Sequence, residues 1–489
     1  MPPQDLSSTV SRGRDTAAAH SADKADASKK ALGWSLAILA FAQLIYSLDI
    51  NIVFVALPEV GHALGFSKQS LQWVVSAYTI FCGGFLLLGG RASDRLGQKR
   101  MFVSALLLFA LASLLGGLAW NPLVIIMARA LQGIGAAFLF PATLSLINRL
   151  YEEGPRRNRA LAVWGGAGAS GLTLGSLLGG ILTNAIGWEA VFFVNVLFAG
   201  GAALAALFVI PRDSARSGRS RFDLPGALTF TAAATLLVYV LVQGPESGWG
   251  SVSILVCAVM SLLLFLAFVR IEIRTADPLM PLHLLRRRSL VTGMIITFLY
   301  MGTFGAIPYF LTVLFQNVHQ FNALQTGLAF IVPSLSIALG TQWGERLATR
   351  FGMRSTLLSG FLIGIAGTAL LPLGAGVDSG YLLIVPGLIV SGVGQGVVWT
   401  GMWIAASTGV AHSEQGVASG MATTTLNIGN AIGMAFLIFI ANSGIDGQTG
   451  SSLLAAQASG VQTALYLAAA GLIVGGVAAL FLPRKKTNQ

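Results

Sequence analysis

Apolar runs of about 20 residues alternate with short polar gaps along almost the whole chain. A helix needs about that length to cross roughly 30 Å of hydrocarbon at 1.5 Å per residue. The runs predict fourteen crossings, near residues 33–57, 72–90, 101–119, 122–148, 160–185, 190–211, 224–243, 251–270, 290–316, 324–344, 355–376, 381–410, 416–441 and 461–483. When the gaps are assigned to alternate sides, all of the 30 Lys and Arg residues fall on one side except two. Lys68 sits in an opposite gap and Arg129 lies inside a crossing. Positive residues stay cytoplasmic, so both termini are expected inside and the number of spans even.

Composition agrees and sets limits. A chain that is 55% apolar and 10% charged, with mean hydropathy +0.76, is soluble in a bilayer. The net charge of +11 is spread over short loops, which is a topogenic pattern; no folded basic domain is left to hold nucleic acid. Cys82 and Cys257 both fall within spans, so no disulfide framework or Cys-rich metal site is expected. The first 32 residues, rich in Ala, Ser, Asp and Lys, are expected to be disordered. They contain no apolar signal core, so the first span is expected to act as an uncleaved insertion signal.

A sequence echo divides the chain. Gly89-Gly90-Arg91-Ala92-Ser93-Asp94-Arg95-Leu96-Gly97 is matched by Gly344-Glu345-Arg346-Leu347-Ala348-Thr349-Arg350-Phe351-Gly352, 255 residues later. Arg159-Ala160-Leu161-Ala162 and Gln415-Gly416-Val417-Ala418 stand 256 apart. Internal duplication of this kind builds many secondary transporters. The expected organisation is a cytoplasmic tail (1–32), a six-helix bundle (33–211), a linker (212–223) and an inserted helix pair (224–270). A second linker (271–289), a second six-helix bundle (290–483) and a short tail (484–489) follow.

These residues carry a resemblance. Gly89 to Arg100 resembles the loop between spans two and three of the major facilitator superfamily. Leu48-Asp49-Ile50-Asn51-Ile52-Val53-Phe54-Val55-Ala56-Leu57-Pro58 resembles the span-one motif of its fourteen-span drug:proton antiporters. Arg129 to Gly135 resembles their span-four motif, and Gly171 to Gly180 their span-five antiporter motif. The resemblance covers residues 33–483 in order. It implies an all-α major facilitator fold, two six-helix bundles alternating access around a central site, and proton-driven export without a cofactor. It further implies a monomer in the cytoplasmic membrane of a bacterium, acting on drugs, antibiotics or related small molecules. Three departures stand out: Ser176 replaces the usual Pro after Gly175, Asn51 and Phe54 replace Thr and Asn, and Thr349 stands where the first half has Asp94.

Two charges lie deep in the spans. Asp49 is about eight residues from the outer end of span one, roughly 12 Å, and Arg129 about seven residues beyond Pro122, roughly 10 Å. Each costs about 2.5–3.5 kcal/mol on the insertion scale, so both should face the bundle interior or a wet cavity. Burial favours a neutral carboxyl and a nearby guanidinium favours the anion. A movement that parts the pair would therefore switch Asp49 between proton uptake and release, and the resemblance implies that role. A static ion pair fixing span one to span four is the alternative.

Gly90, Arg91, Asp94, Arg95, Gly97 and Arg100 suit a switch at the cytoplasmic seam: the glycines permit tight turns, and the Asp can meet a helix N-terminus. The resemblance implies that this loop locks one state. Gly171, Gly175 and Gly179 place a smooth stripe on one side of span five, suited to sliding or to static packing. Tyr46, Gln395, Trp399, Trp403, Thr423, Asn427 and Asn430 could line an amphipathic cavity for flat hydrophobic molecules, or could simply pack helices together. Asp49 is the one mid-membrane acid, so neutral or monovalent cationic cargo is expected over divalent cations. Beyond drugs, a lipid, siderophore or endogenous metabolite would fit the same fold. An enzyme fits poorly. The five His never pair at ligand spacing, no GxxxxGK[ST] loop is present, and Gly392-Val393-Gly394-Gln395-Gly396 lies within a span.

Overall fold

The computed structural model describes residues 30–483 apart from 67–69, 172, 214–222, 245–246, 276–277, 282, 323–324, 444 and 446–447. The expectations for most of the first tail and for residues 484–489 lie outside the described residues. The first half comprises α1 (Lys30–Leu64), α2 (Trp73–Leu96), α3 (Gln98–Gly117), α4 (Pro122–Leu150), α5 (Pro155–Ala185) and α6 (Ala190–Val209). A pair follows, α7 (Leu224–Gly244) and α8 (Val252–Arg274). The second half comprises α9 (Arg288–Val318), α10 (Ile331–Phe351), α11 (Met353–Leu370), α12 (Tyr381–Ser407), α13 (Gln415–Asn442) and α14 (Gly450–Ala479).

Local chemistry explains where the helices start and bend. Asn121 caps α4, its side chain accepting from the Val124 amide, with Pro122 in the first turn. Asp223 does the same for α7 through the Gly226 amide. Gly97, at φ +105°, turns α2 into α3 in a single residue. In α9 the regular helix stops at Thr303 and resumes at Ile307, because Pro308 has no N–H to give to Phe304 four residues back.

Among the described residues thirteen helices are long and apolar enough to cross a membrane. The expected crossing at 324–344 is not one of them. It is divided into Ala323–Ala329 and α10 at Phe330, and α10 carries Gln342, Glu345, Arg346 and Arg350. Pro333 supplies the break: it cannot donate to the Ala329 carbonyl, and the Tyr381 hydroxyl donates there instead at 2.9 Å. α14 starts at Gly450 rather than 461, its Ala- and Ser-rich first turns being helical although they are not strongly apolar.

Helix pairing repeats between the halves. α1 packs on α5 as α9 packs on α13; α2 and α3 pack on α4 as α10 and α11 pack on α12. The halves meet along two related seams, α2 with α13 and α5 with α10. α7 leans on α2, whereas α8 touches little besides α7 and turns Val252, Leu255, Val256, Val259, Leu262, Leu263 and Leu266 outward. Such a face suits hydrocarbon.

Candidate functional site

In the first half, α1, α4 and α6 bring a polar network into an otherwise apolar interior. Asp49 is fully buried and Arg129 is 2% exposed. Arg129 Nη1 donates to Asp49 Oδ2 at 2.8 Å and to Gln132 Oε1 at 2.8 Å, while its Nε donates to the Val74 carbonyl at 3.0 Å. The guanidinium also stands over the Tyr78 ring, 4.4 Å from its centroid. Asp49 Oδ1 accepts from Asn195 Nδ2 at 2.8 Å and Gln132 Nε2 at 3.3 Å, and Gln132 Nε2 reaches Ser113 Oγ at 2.7 Å. Both carboxylate oxygens are thus paired, the condition under which a buried charge is tolerable.

Sequence reasoning named Asp49 and Arg129 but missed Gln132 and Asn195. Both left a signal. Gln132 lies three residues beyond Arg129, on the same helix face, and Asn195 is the only amide in the apolar α6. The glycine stripe flanks this network. Gly171, Gly175 and Gly179 lie against the α1 backbone at Leu44, Leu48 and Ile52, within one half and not across the seam.

The loops rich in Arg and Lys gather at one end of the bundle, the basic end. There Asp94, 1% exposed, accepts from the Gly416 amide at 2.9 Å and the Val417 amide at 2.7 Å. These amides are the N-terminus of α13, where the unpaired N–H groups and the helix dipole favour an anion. Gly90 makes the approach possible, since a Cβ there would overlap the Gly416 carbonyl. Arg91 donates to the Pro278 carbonyl at 2.6 Å. Arg95 is half-buried at the end of α2. On the second seam, Asn158 donates to Thr349 Oγ1 at 3.2 Å; between the loop after α12 and the loop before α5, the Gly409 amide donates to Glu153 at 3.3 Å.

Asp213 forms a separate clamp that sequence reasoning did not find. It accepts from the Lys99 and Arg100 amides and, at 2.6 Å, from Arg149 Nη1. Burial pushes its carboxyl up, yet the Lys99 amide, the Arg149 guanidinium and the Arg100 amide hold it below the usual aspartate value. Gly97 leaves room for this carboxylate, which a Cβ would overlap.

The expected cavity residues separate into two groups. Tyr46, Trp399 and Trp403 join a cross-half aromatic cluster with Phe140, Trp164 and Tyr300. Tyr46 meets Phe140 with centroids 5.0 Å apart, Trp164 meets Trp399 at 6.1 Å and Trp403 at 5.8 Å, and Tyr300 meets Trp399 at 5.5 Å. The other group stays outside it. Gln395 donates to Ser391 on its own helix, Thr423 to the Ser419 and Gly420 carbonyls, and Asn427 to the Thr423 carbonyl. Asn430 lies beside Gly305 of α9.

Comparison with known proteins adds a family and relatives. The family model of the Major Facilitator Superfamily matches residues 39–434. The puromycin resistance protein pur8 of Streptomyces alboniger is 38% identical over 409 residues, 83% of this chain and 80% of that protein. The cephamycin export protein CmcT of Amycolatopsis lactamdurans is 36% identical over 422 residues, 84% and 86% of the two chains. The structure of the human organic anion transporter MFSD10 (TETRAN) superposes with a TM-score of 0.66 at 16% identity. It covers 92% of this chain and 99% of that one, a likeness of fold alone.

Proposed function

The chain belongs to the Major Facilitator Superfamily, and we propose that it is a proton-coupled exporter of antibiotics or other small hydrophobic molecules. Its relatives named for resistance or export support the antibiotic class. The observation that carries proton coupling is Asp49: a fully buried carboxylate of α1 whose partners come from two other helices of the same half, α4 and α6. Separation of α1 from α4 would remove the Arg129 charge and the Gln132 donor that hold the anion and leave a carboxyl that takes up a proton. Return of Arg129 would expel that proton. Substrate binding and protonation then favour different arrangements of the halves, which is the differential energy antiport requires.

Fourteen spans with both termini cytoplasmic, in two six-helix bundles with an inserted pair between them, complete the reading, supported by the one-sided Lys and Arg and by the repeated helix pairing. The split stretch 323–351 is then the tenth span. On that frame the Asp94 contact closes the cytoplasmic end, and its release is the switch. The cargo is neutral or monovalently cationic, the chain works as a monomer in a bacterial inner membrane, and no cofactor takes part.

The test is resistance to a panel beginning with puromycin and cephamycin. An efflux-deficient bacterial host would express wild type or Asp49→Asn at matched membrane levels. Resistance that disappears in Asp49→Asn is expected. Resistance that survives the change would remove Asp49 from the mechanism.

A further inference from the structure

We propose that Trp164, Trp399 and Trp403 form a clamp across the seam that selects flat ligands bearing hydrogen-bond acceptors, such as ring carbonyl oxygens, over flat hydrocarbons of equal size. The proposal rests on the export reading for the clamp's purpose, though not for the binding itself.

Three facts support it. First, an indole nitrogen is a donor only, and Trp164, Trp399 and Trp403 all bury Nε1 without a partner. Trp164 is wholly buried and Trp403 is 2% exposed. Buried polar groups are nearly always paired, so three unpaired donors in one cluster call for a partner that comes and goes. Second, the jaws belong to different halves. Trp164 of α5 and Trp399 of α12 are close to parallel, 19° apart, with centroids separated by 6.1 Å. A flat guest between two rings needs planes about 7 Å apart, twice a carbon contact of ~3.5 Å. Parting of the halves widens this gap, and a guest that holds it open favours the parted state. Trp403 stands edge-on to both rings, at 88° and 77°, as the end wall.

Third, the α5 backbone is cut away for the clamp. A Cβ on Gly165 would stand 2.6 Å from Trp399 Cδ1 and 2.7 Å from its Nε1, so Trp399 lies where only glycine leaves room. Gly165 is a positioning residue. The rings packed around the clamp, Phe140, Tyr46 and Tyr300, bring no charge with them. Indole faces attract cations, but indole N–H edges attract acceptors, and it is the edges that lack partners here.

The experiment uses the full chain in nanodiscs and equilibrium dialysis, with empty nanodiscs correcting for partition into lipid. The probes are 9,10-anthraquinone, anthracene and N-methylacridinium. Wild type should bind the quinone about five- to tenfold more tightly than anthracene, the gain from one net hydrogen bond. An indole N–H lies in its ring plane, so Trp164 and Trp399 offer a stacked guest their faces, and Trp403, standing across both, is the donor able to meet the guest's edge. Trp403→Phe keeps a ring but removes that donor, and should lose most of the preference while holding anthracene within about twofold, which also shows that the variant folds. Trp164→Phe and Trp399→Phe should keep the preference. Gly165→Ala should weaken quinone and anthracene alike. Equal binding of the two by wild type overturns the proposal. So does a preference that survives Trp403→Phe, loss of both probes in every Trp→Phe variant, or tightest binding of the acridinium. Donor-dependent binding without quinone transport in proteoliposomes leaves the clamp standing and removes export. Transport of quinone and anthracene alike, unchanged in the Trp→Phe variants, removes the clamp and leaves export.

Discussion

The two halves share a helix arrangement but not a chemistry. In the first half the interior between α1, α4 and α6 holds Asp49, Arg129, Gln132 and Asn195 in one bonded network. At the interval of the sequence echo, 255 residues on, Asp49 corresponds to Phe304 and Arg129 to Ile384, both buried. Phe304 fills the space beside Gly364, and Ile384 packs beside Gly374. The shared part is small-residue packing: the stripe of α5 lies on α1, and Gly429 and Gly433 of α13 lie on Phe298 and Gly302 of α9. The repeated helix pairing thus keeps the contacts that set helix spacing, while among the described residues a deep, buried charge pair, costly in hydrocarbon, stands in the first half alone. The basic end shows the same asymmetry: Asp94 bonds two amides of α13, whereas its counterpart Thr349 bonds single side chains.

The sharpest way to break this comparison is to remove charge from one half and bulk from the other. Arg129→Met leaves Asp49 buried without its cation and should cost about 3–5 kcal/mol of stability. Adding Asp49→Leu should restore most of it, because an apolar pair suits the site. Ile384→Val, at the corresponding place, should cost about 0.5–1.5 kcal/mol. Denaturation of the three purified variants checks this, and equal losses for Arg129→Met and Ile384→Val would erase the asymmetry.

A smaller effect is expected at the basic end. Asp94→Asn removes the anion from the α13 N-terminus and should shift the seam toward opening by about 2 kcal/mol, close to thirtyfold. Thr349→Asp should not compensate, since Glu345 already lies against that position. Distances between spin labels at positions 96 and 412 would report the shift; an unchanged distribution in Asp94→Asn would show that the amide contact does not hold the seam.

The smallest effect concerns Asp213, whose clamp has no second-half counterpart among the bonds described above. Its carboxyl is held below the usual aspartate value in the folded protein, so its contribution is fully present above the ordinary aspartate range. It fades as pH falls through the lowered value. Asp213→Asn should therefore lower the melting temperature slightly at neutral pH and converge with wild type in acid. The partly exposed setting keeps the effect under about 1 kcal/mol. A gap between the two that is constant with pH would remove the carboxylate from the explanation.

How much of the site was legible varies with the kind of residue. Asp49 and Arg129 stood out because charge in a hydrophobic run has few explanations. Asn195 carried the same signal more faintly, as one amide in an apolar span, and was passed over. Trp164 carried none: a tryptophan in a membrane helix is unremarkable until its partners are known. Gln395, Trp399 and Trp403 share a four-residue spacing, yet only the two tryptophans reach the cluster. The apolar run at 324–344 does not show its interruption in sequence, since Pro333 breaks the helix while Tyr381, distant in sequence, satisfies the freed carbonyl.

The amino-acid sequence by itself determined the membrane class, the alternation of apolar runs with charged gaps and the two deep charges. Each depends on properties additive along a chain: hydropathy, length and the cost of moving charge into hydrocarbon. Tertiary structure alone decided which groups meet. The network around Asp49 draws on α1, α4 and α6, Asp94 finds its amides more than 300 residues away, and three indoles converge without partners on the seam. Those contacts follow from how close glycine lets two backbones come and from where bends turn a side chain. Neither is a property of any one segment.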